Sequence, residues 1–383
     1  MSPPQSLRAR PRALSAADKL DWLRLIRSEQ VGPITFARLI ERFGDAGNAL
    51  SALPDLARRG GRAAALRICD RATAAREIEG LEKLGGRLVA LGEEDYPTAL
   101  AALDDAPPLI SVLGSFDVLK KPMIAVVGAR NASANGRRFA QSLSRDLGQA
   151  GLVIASGLAR GIDAAAHEGA LATGTVAVVA GGVDVIYPQE NATLYDRIAA
   201  DGAIITEEPL GLQPQARHFP KRNRLISGLA LGVLVVEAAQ RSGSLITARF
   251  ALEQGREVFA VPGSPLDPRC HGTNDLIRHG ATLTQSADDV VEQIRGMLRR
   301  PIAEPDRPEY VGRQAVPAPA LSPQALDSAR EKIVESLGPS PVQVDEIVRQ
   351  CQLSPAIVAA VLLELELAGR LNRHPGHQIS LAE

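Results

Sequence analysis

A chain of 383 residues has room for two or three domains, and a formal net charge of −1 with 23% charged residues excludes a wholesale polycation, so any nucleic-acid contact must come from a local patch. Cys69, Cys270 and Cys351 lie far apart and form no CxxC pair, which excludes a dense disulfide framework or a cysteine zinc site and fits a reducing cytoplasm. No apolar run reaches the ~18 residues a membrane helix needs, the six histidines show no HExxH spacing, and no apolar h-region follows the charged N-terminus, so neither a metal centre nor a secretory signal is expected.

Residues 1–14 are rich in Pro and Arg and read as disordered. From 15 to 85 the pattern is helical. Within it Val31-Gly32-Pro33, followed by an amphipathic stretch ending at Phe43-Gly44, reads as half of a helix-hairpin-helix or sterile-alpha-motif-like (SAM-like) module. Such a Gly turn can lay backbone amides on a DNA phosphate; a plain helical bundle whose turn needs Gly is the ordinary alternative. Residues 1–85 carry 15 Lys/Arg against 10 Asp/Glu, which permits nucleic-acid contact without demanding it. Residues 86–122 read as transitional, with turns at Tyr96-Pro97 and Pro107-Pro108.

From Met123 short apolar strands alternate with helices. Strands are predicted at Ile124–Val127, Leu152–Ala155, Val176–Val179, Ala203–Ile205, Val233–Val236 and Val258–Val261. Helices are predicted at Asn135–Gly148, Ile162–Ala172, Asn191–Ala200 and Ser244–Gln254. Continuous β-branched runs such as Val233-Leu234-Val235-Val236 suit strands buried on both faces. The pattern predicts an α/β core over 86–300, a Rossmann-like doubly wound parallel sheet, with ligands beyond the carboxyl ends of its strands.

Those ends carry the distinctive residues. Gly128-Ala129-Arg130-Asn131 follows the first strand, Ser156-Gly157-Leu158-Ala159-Arg160-Gly161 the second, and Gly181-Gly182 the third. Ser242-Gly243-Ser244 follows the fifth. Each precedes a helix, so backbone N–H groups can face an anion. Arg217, Lys221, Arg222 and Arg224 form a basic knot with no acid inside it. It reads either as a solvated loop or as the side chains that meet a phosphate partner.

Five prolines over 301–322 read as a linker. Residues 323–383 read as a winged-helix domain, with Ser354 capping and Pro355 opening its recognition helix. That helix, Pro355–Ala368, has no Lys or Arg and carries Glu364 and Glu366, and the domain holds 5 basic against 8 acidic residues. Duplex reading by this helix is disfavoured, and a protein-contact role is expected.

The segments SGLARGIDAAAHEGAL, GGVDVIYPQEN, HFPKRNRLISGL, SGSLITARFALEQGREVFAVPG and TNDLIRHGA resemble the DNA-processing protein A (DprA/Smf) family over about residues 90–285. The resemblance implies a Rossmann-like core that binds single-stranded DNA, works as a homodimer and loads the RecA recombinase during natural transformation. Carried over by position, the DNA contacts would be Arg130, Ser156, Gly157, Arg160, Gly161, Phe219, Lys221, Arg222, Asn223, Ser242, Gly243 and Ser244. Only 3% of residues are aromatic, so few bases can be stacked and charge should dominate binding.

The main rival is a nucleotide-binding enzyme, with Glu237, or Asp163 with His167, as acid or base. The chain has no GxxxxGK[ST] phosphate loop. Asp163 can instead serve its own helix and accept from His167 one turn on, and Glu237 can pair with an Arg of the basic knot. No catalysis and no cofactor are expected. A third reading is an adaptor that recruits partners through its end domains, with the core as scaffold.

Overall fold

The computed structural model describes residues 14–299, 323–374 and 376–382. The expected linker and the segment 1–13 lie outside the described residues. The chain forms two compact units: Leu14–Ala75 together with the C-terminal residues, and the residues from Arg76 through the central sheet.

The first unit opens with α1 (Ala16–Ile26), α2 (Pro33–Phe43) and α3 (Ala46–Arg59). Ser15 and Asp18 make a reciprocal capping box on α1, and Pro33 at the first turn of α2 lacks only a donor the helix would not use. Then α4 (Arg71–Lys83) runs across the division between the units.

The second unit is built on one sheet. Its elements are β1 (Arg87–Ala90), α5 (Thr98–Ala101), β2 (Leu109–Gly114), β3 (Met123–Val127), α6 (Ala134–Gln149), β4 (Val153–Ser156), α7 (Ile162–Ala170), β5 (Thr175–Val178), α8 (Ala192–Asp201), β6 (Ala203–Thr206), α9 (His218–Leu229), β7 (Gly232–Val235), α10 (Gly243–Glu253), β8 (Glu257–Ala260), α11 (His271–Arg278), β9 (Thr282–Leu283) and α12 (Ala287–Arg299). The strand order is β1-β2-β6-β5-β4-β3-β7-β8-β9. From β6 to β9 all pairings are parallel, while β1 and β2 add an antiparallel edge. The fold class is as the sequence predicts, a Rossmann-like sheet between helices. All six predicted strands are present, shifted by a residue or so. The antiparallel edge is the addition, in the stretch that reads as transitional.

Strand alternation sorts the core into two layers. Ala125, Val127, Val153, Ala155, Val233 and Val235 face Leu225, Ile226 and Leu229 of α9 and Ala248 and Ala251 of α10. Ile124, Val126, Ile154, Leu234 and Phe259 face Leu143 and Leu147 of α6, Ala165 and Ala166 of α7, and Val290 and Ile294 of α12. A strand apolar on both faces has to be covered on both, which is why each carries no polar alternation. The chain leaves β3 toward β4 and leaves β7 toward β8, in opposite directions from adjacent strands, so a crevice opens between their carboxyl ends.

The C-terminal part comprises α13 (Pro323–Ser336), β10 (Val342–Gln343), α14 (Val344–Cys351), α15 (Pro355–Leu367), β11 (Leu371–His374) and β12 (Gln378–Leu381). This is the winged-helix arrangement. One side of α15 packs its own domain through Val358, Val361, Leu362 and Leu365. Leu363 and Leu367 join the core of α1, α2 and α3 instead. No single helix among the described residues is long and apolar enough to cross a membrane, and no group of three or more of their His, Cys, Asp and Glu side chains could hold a metal.

Candidate nucleic-acid interface

Three helices begin at the carboxyl rim of the sheet. Ser133 caps α6 by accepting from the Gly136 N–H (2.8 Å), and Ser242 caps α10 by accepting from the Ser244 N–H. Gly161 precedes α7 with φ +82°, and a Cβ there would meet the Ala129 carbonyl at 2.2 Å. Only glycine allows that close approach. Each helix start adds partial positive charge to the same edge.

The basic knot is a helix rather than a loop. Pro220 falls in the first turn of α9, where its missing N–H costs nothing. A helix sends its cations in different directions. Lys221 is exposed, whereas Arg222 and Arg224 are buried. Arg224 turns away from the rim to an ion pair with Glu207, and its Nη1 donates to the Asp105 carbonyl (2.8 Å). It is a structural residue.

Arg222 turns toward the rim. Its guanidinium lies over Gly157, where a Cβ would meet Nη1 at 1.5 Å. It stays only 6% exposed, and its Nε has no hydrogen-bond partner. Burial pushes its pKa down to about 10, with Asp163 opposing the shift and Arg130 adding to it. It is therefore a charged, desolvated guanidinium with donor capacity to spare. Arg130 is exposed at the end of β3, with its guanidinium carbon 5.1 Å from the Phe219 ring centre. The Arg222 guanidinium carbon lies 5.9 Å from the same ring centre, and the Tyr187 ring centre lies 5.8 Å from that of Phe219. Phe219 is thus half-buried between two cations and a second aromatic, not packed into the core.

This ridge of Arg130, Phe219 and Arg222 is shared by two concavities. One, of about 390 Å³, runs past Gly157, Arg160, Tyr187 and Pro214. The other, of about 710 Å³, lies at the β3/β7 crevice and is lined by Asn131, Asn223, Arg241, Ser242, Gly243 and Arg269. Arg160 is exposed, with Glu190 at 3.6 Å. Asn223 donates to the Gly243 carbonyl (3.3 Å), which ties α9 to the Ser-Gly-Ser turn. Ser244 is 8% exposed, and its hydroxyl lies 2.7 Å from that of Ser242.

Ser156 is not on this surface. It is fully buried, and its hydroxyl donates to the Val126 carbonyl (2.5 Å), locking β4 to β3. Gly157 is covered by Arg222, so its part is to make room for that side chain. Tyr187, Arg241 and Arg269 line the concavities although the sequence reading does not select them. Tyr187 stands in the turn after the third predicted strand, and Arg241 directly precedes Ser242. Those adjacencies were the available signals. Leu158, in the same turn as Ser156, holds φ +54° while fully buried. A left-handed non-glycine residue here marks a turn held by its surroundings.

The candidate acids are engaged otherwise than expected. Glu237 pairs with no arginine of α9. Its carboxylate accepts from the Ser133 N–H (2.9 Å) and the Ser133 hydroxyl (2.6 Å), fixing the start of α6. Asp163 accepts from the Gly157 N–H (3.2 Å), and burial raises its pKa against the pull of Arg222 and of the backbone amides around it. His167 does not bond back to Asp163. Its Nδ1 meets Thr175 Oγ1 at 2.7 Å. Thr175 spends its own proton on the Ile154 carbonyl (2.8 Å), so Nδ1 is the donor and Nε2 is bare. Nε2 is buried with no partner, and desolvation drives the imidazole pKa down to about 3.

A family model described as DNA recombination-mediator protein A matches residues 87–295. The chain belongs to this family. Two further models, a DprA-like N-terminal HHH domain and a DprA winged helix domain, match residues 16–80 and 317–377. Protein Smf of Escherichia coli (strain K12) is 39% identical over 306 residues, 79% of each chain. The DNA processing protein DprA of Streptococcus pneumoniae is 47% identical over 203 residues, 52% of this chain and 72% of that relative. The X-ray structure of DNA processing protein A from the same species superposes with a TM-score of 0.55 at 43% identity, covering 58% of this chain and 78% of that one. The family match spans the whole rim, so the crevice described here belongs to the family's central domain.

Proposed function

We propose that the rim of the sheet is a track for single-stranded DNA, and that this chain, as a homodimer, protects incoming strands and loads RecA onto them during natural transformation. Arg222 carries the reading. A buried guanidinium with an unmatched donor, held over a glycine between Arg130 and Phe219, is arranged to receive an anion. Helix starts and exposed Arg130, Arg160, Lys221 and Arg241 extend the anion surface to both sides. Phe219 and Tyr187 offer faces on which unpaired bases stack whatever their identity. A duplex hides those faces, so single strands are preferred. Family membership supports a DNA partner. RecA loading, the dimer and a cytoplasmic setting come from the family resemblance and form the finer part of the proposal.

The rival nucleotide-hydrolase reading needs a free acid or base at the rim. Glu237 and Asp163 are both committed to backbone donors, and His167 is buried behind β4. We therefore assign the rim to binding rather than catalysis.

The test is binding of fluorescent oligo-dT and of its duplex counterpart across a salt series. Wild type should prefer the single strand and lose affinity steeply with salt. Arg130→Ala and Lys221→Glu/Arg222→Glu should lose most of the affinity. Wild-type indifference to single strands, or variants that bind like wild type, would overturn the assignment.

A further inference from the structure

The winged-helix recognition helix does not face solvent on all of its outer side. Leu363 and Leu367 of α15 are buried in the core of α1, α2 and α3. The backbone comes equally close: a Cβ on Gly60, at the end of α3, would meet the Glu364 carbonyl at 2.0 Å. Arg370 just past α15 donates to the Gly60 carbonyl (3.4 Å).

At the other end of this contact stands Glu366. Its Oε1 accepts from the Thr35 hydroxyl (2.7 Å) and its Oε2 from Arg373 Nε (2.9 Å). Thr35 is the third residue of α2, directly after the Gly32–Pro33 turn. The carboxylate therefore sits at the N-terminal turn of α2, where a helix-hairpin-helix module places a DNA phosphate. Arg38 and Arg373 are the cations beside it, and Glu41 is a second acid acting on Arg38. Arg38 Nη1 and Arg373 Nη2 are buried without a partner. Burial, with Arg373 adding to it and Glu366 opposing, brings Arg38 down to about 10. A phosphodiester has two non-bridging oxygens and could take donors that this carboxylate leaves unmet.

We propose that α15 is an internal stand-in for nucleic acid: its Glu366 occupies a phosphate site formed by the α2 turn, Thr35 and Arg38, and DNA binds there when α15 leaves. This accounts for Glu366 on a recognition helix without Lys or Arg; the other acid of α15, Glu364, pairs with Arg330 of α13. The site is separate from the rim, and the test is run with the rim silenced.

The full chain carrying Arg130→Ala/Lys221→Glu is labelled with a fluorophore pair at Ser51 on α3 and Gln350 on α14. Energy transfer and binding of a short blunt DNA duplex are read together. Gly60→Ala wedges α15 away while leaving every charge and core side chain in place; Glu366→Gln weakens the same contact from its polar end. Either should separate the labels and tighten duplex binding about tenfold, the scale of one or two recovered phosphate contacts. Adding Arg38→Gln should cancel the gain, and saturating duplex should separate the labels in the parent. The proposal fails if the labels part with no gain in DNA binding, or if the gain survives Arg38→Gln. It fails equally if neither variant moves either signal.

Discussion

The Arg222 guanidinium occupies the space that a side chain at residue 157 would need, with Nη1 1.5 Å from the position of a Cβ on Gly157. A turn after β4 and a helix placed much later in the chain thus share one volume. The smallest possible substitution should break the arrangement. Gly157→Ala should expel Arg222 from its seat and weaken oligo-dT binding about tenfold, close to the loss from Arg222→Ala. The double variant should lose little more than either single one, because the two changes remove the same contact. Additive losses in that cycle would separate the residues.

Two arginines two positions apart on α9 should behave oppositely. Arg224 is buried against Glu207 and Asp105, and removing one member of such a pair strands a buried charge at a cost of about 3–5 kcal/mol. Arg224→Ala should therefore lower the denaturation midpoint markedly. The salt slope of DNA binding, measured on the remaining folded protein, should match wild type. A flattened slope would place Arg224 on the phosphate track after all.

Phe219 separates stacking from charge. Phe219→Ala should cost about 1–3 kcal/mol in single-strand affinity, the usual worth of one stacked base. The salt slope should stay unchanged, since no cation is lost. Phe219→Tyr should restore most of the affinity. If Phe219→Ala alters the slope instead, the ring acts mainly by positioning Arg130 and Arg222.

His167 makes stability depend on pH. Its folded pKa is pushed down to about 3 from an ordinary value near 6.5. Between those values the unfolded chain binds a proton that the folded chain refuses. Stability from this group is thus complete above about pH 6.5 and falls as pH drops, by up to about 1.4 kcal/mol per pH unit. Urea titrations at pH 7.5 and 5 should show the loss, and His167→Gln should shrink it. An equal loss in both proteins would assign the acid sensitivity elsewhere.

The central sheet is legible in the sequence because its strands are short, β-branched and apolar on both faces. Runs such as Val233–Val236 allow no other placement. β1 and β2 are harder to see, since Gly85, Gly86, Pro107 and Pro108 interrupt their flanks and antiparallel edge strands carry a weaker pattern. The anion edge is legible as a set of Gly/Ser turns. The division of labour inside the basic knot is not. It depends on α9 being helical despite Pro220, and on partners at Gly157, Glu207 and Asp105 that only the fold brings near. The same holds for Ser156, whose motif position suggests contact and whose burial makes it a strut. Glu366 shows the limit from the other side. Its charge is plain in the sequence, but its partner Thr35 lies near the opposite end of the chain.

The starts of α6, α7 and α10 converge on one edge, and this bears on how the rim can change over time. Much of its attraction for anions is written in peptide groups, which every amino acid supplies. Side chains along the turns can drift between descendants while the electrostatic ground beneath them persists, provided the tight corners stay small. Comparisons that score only the charged letters will therefore undercount which descendants still present this anion-attracting edge.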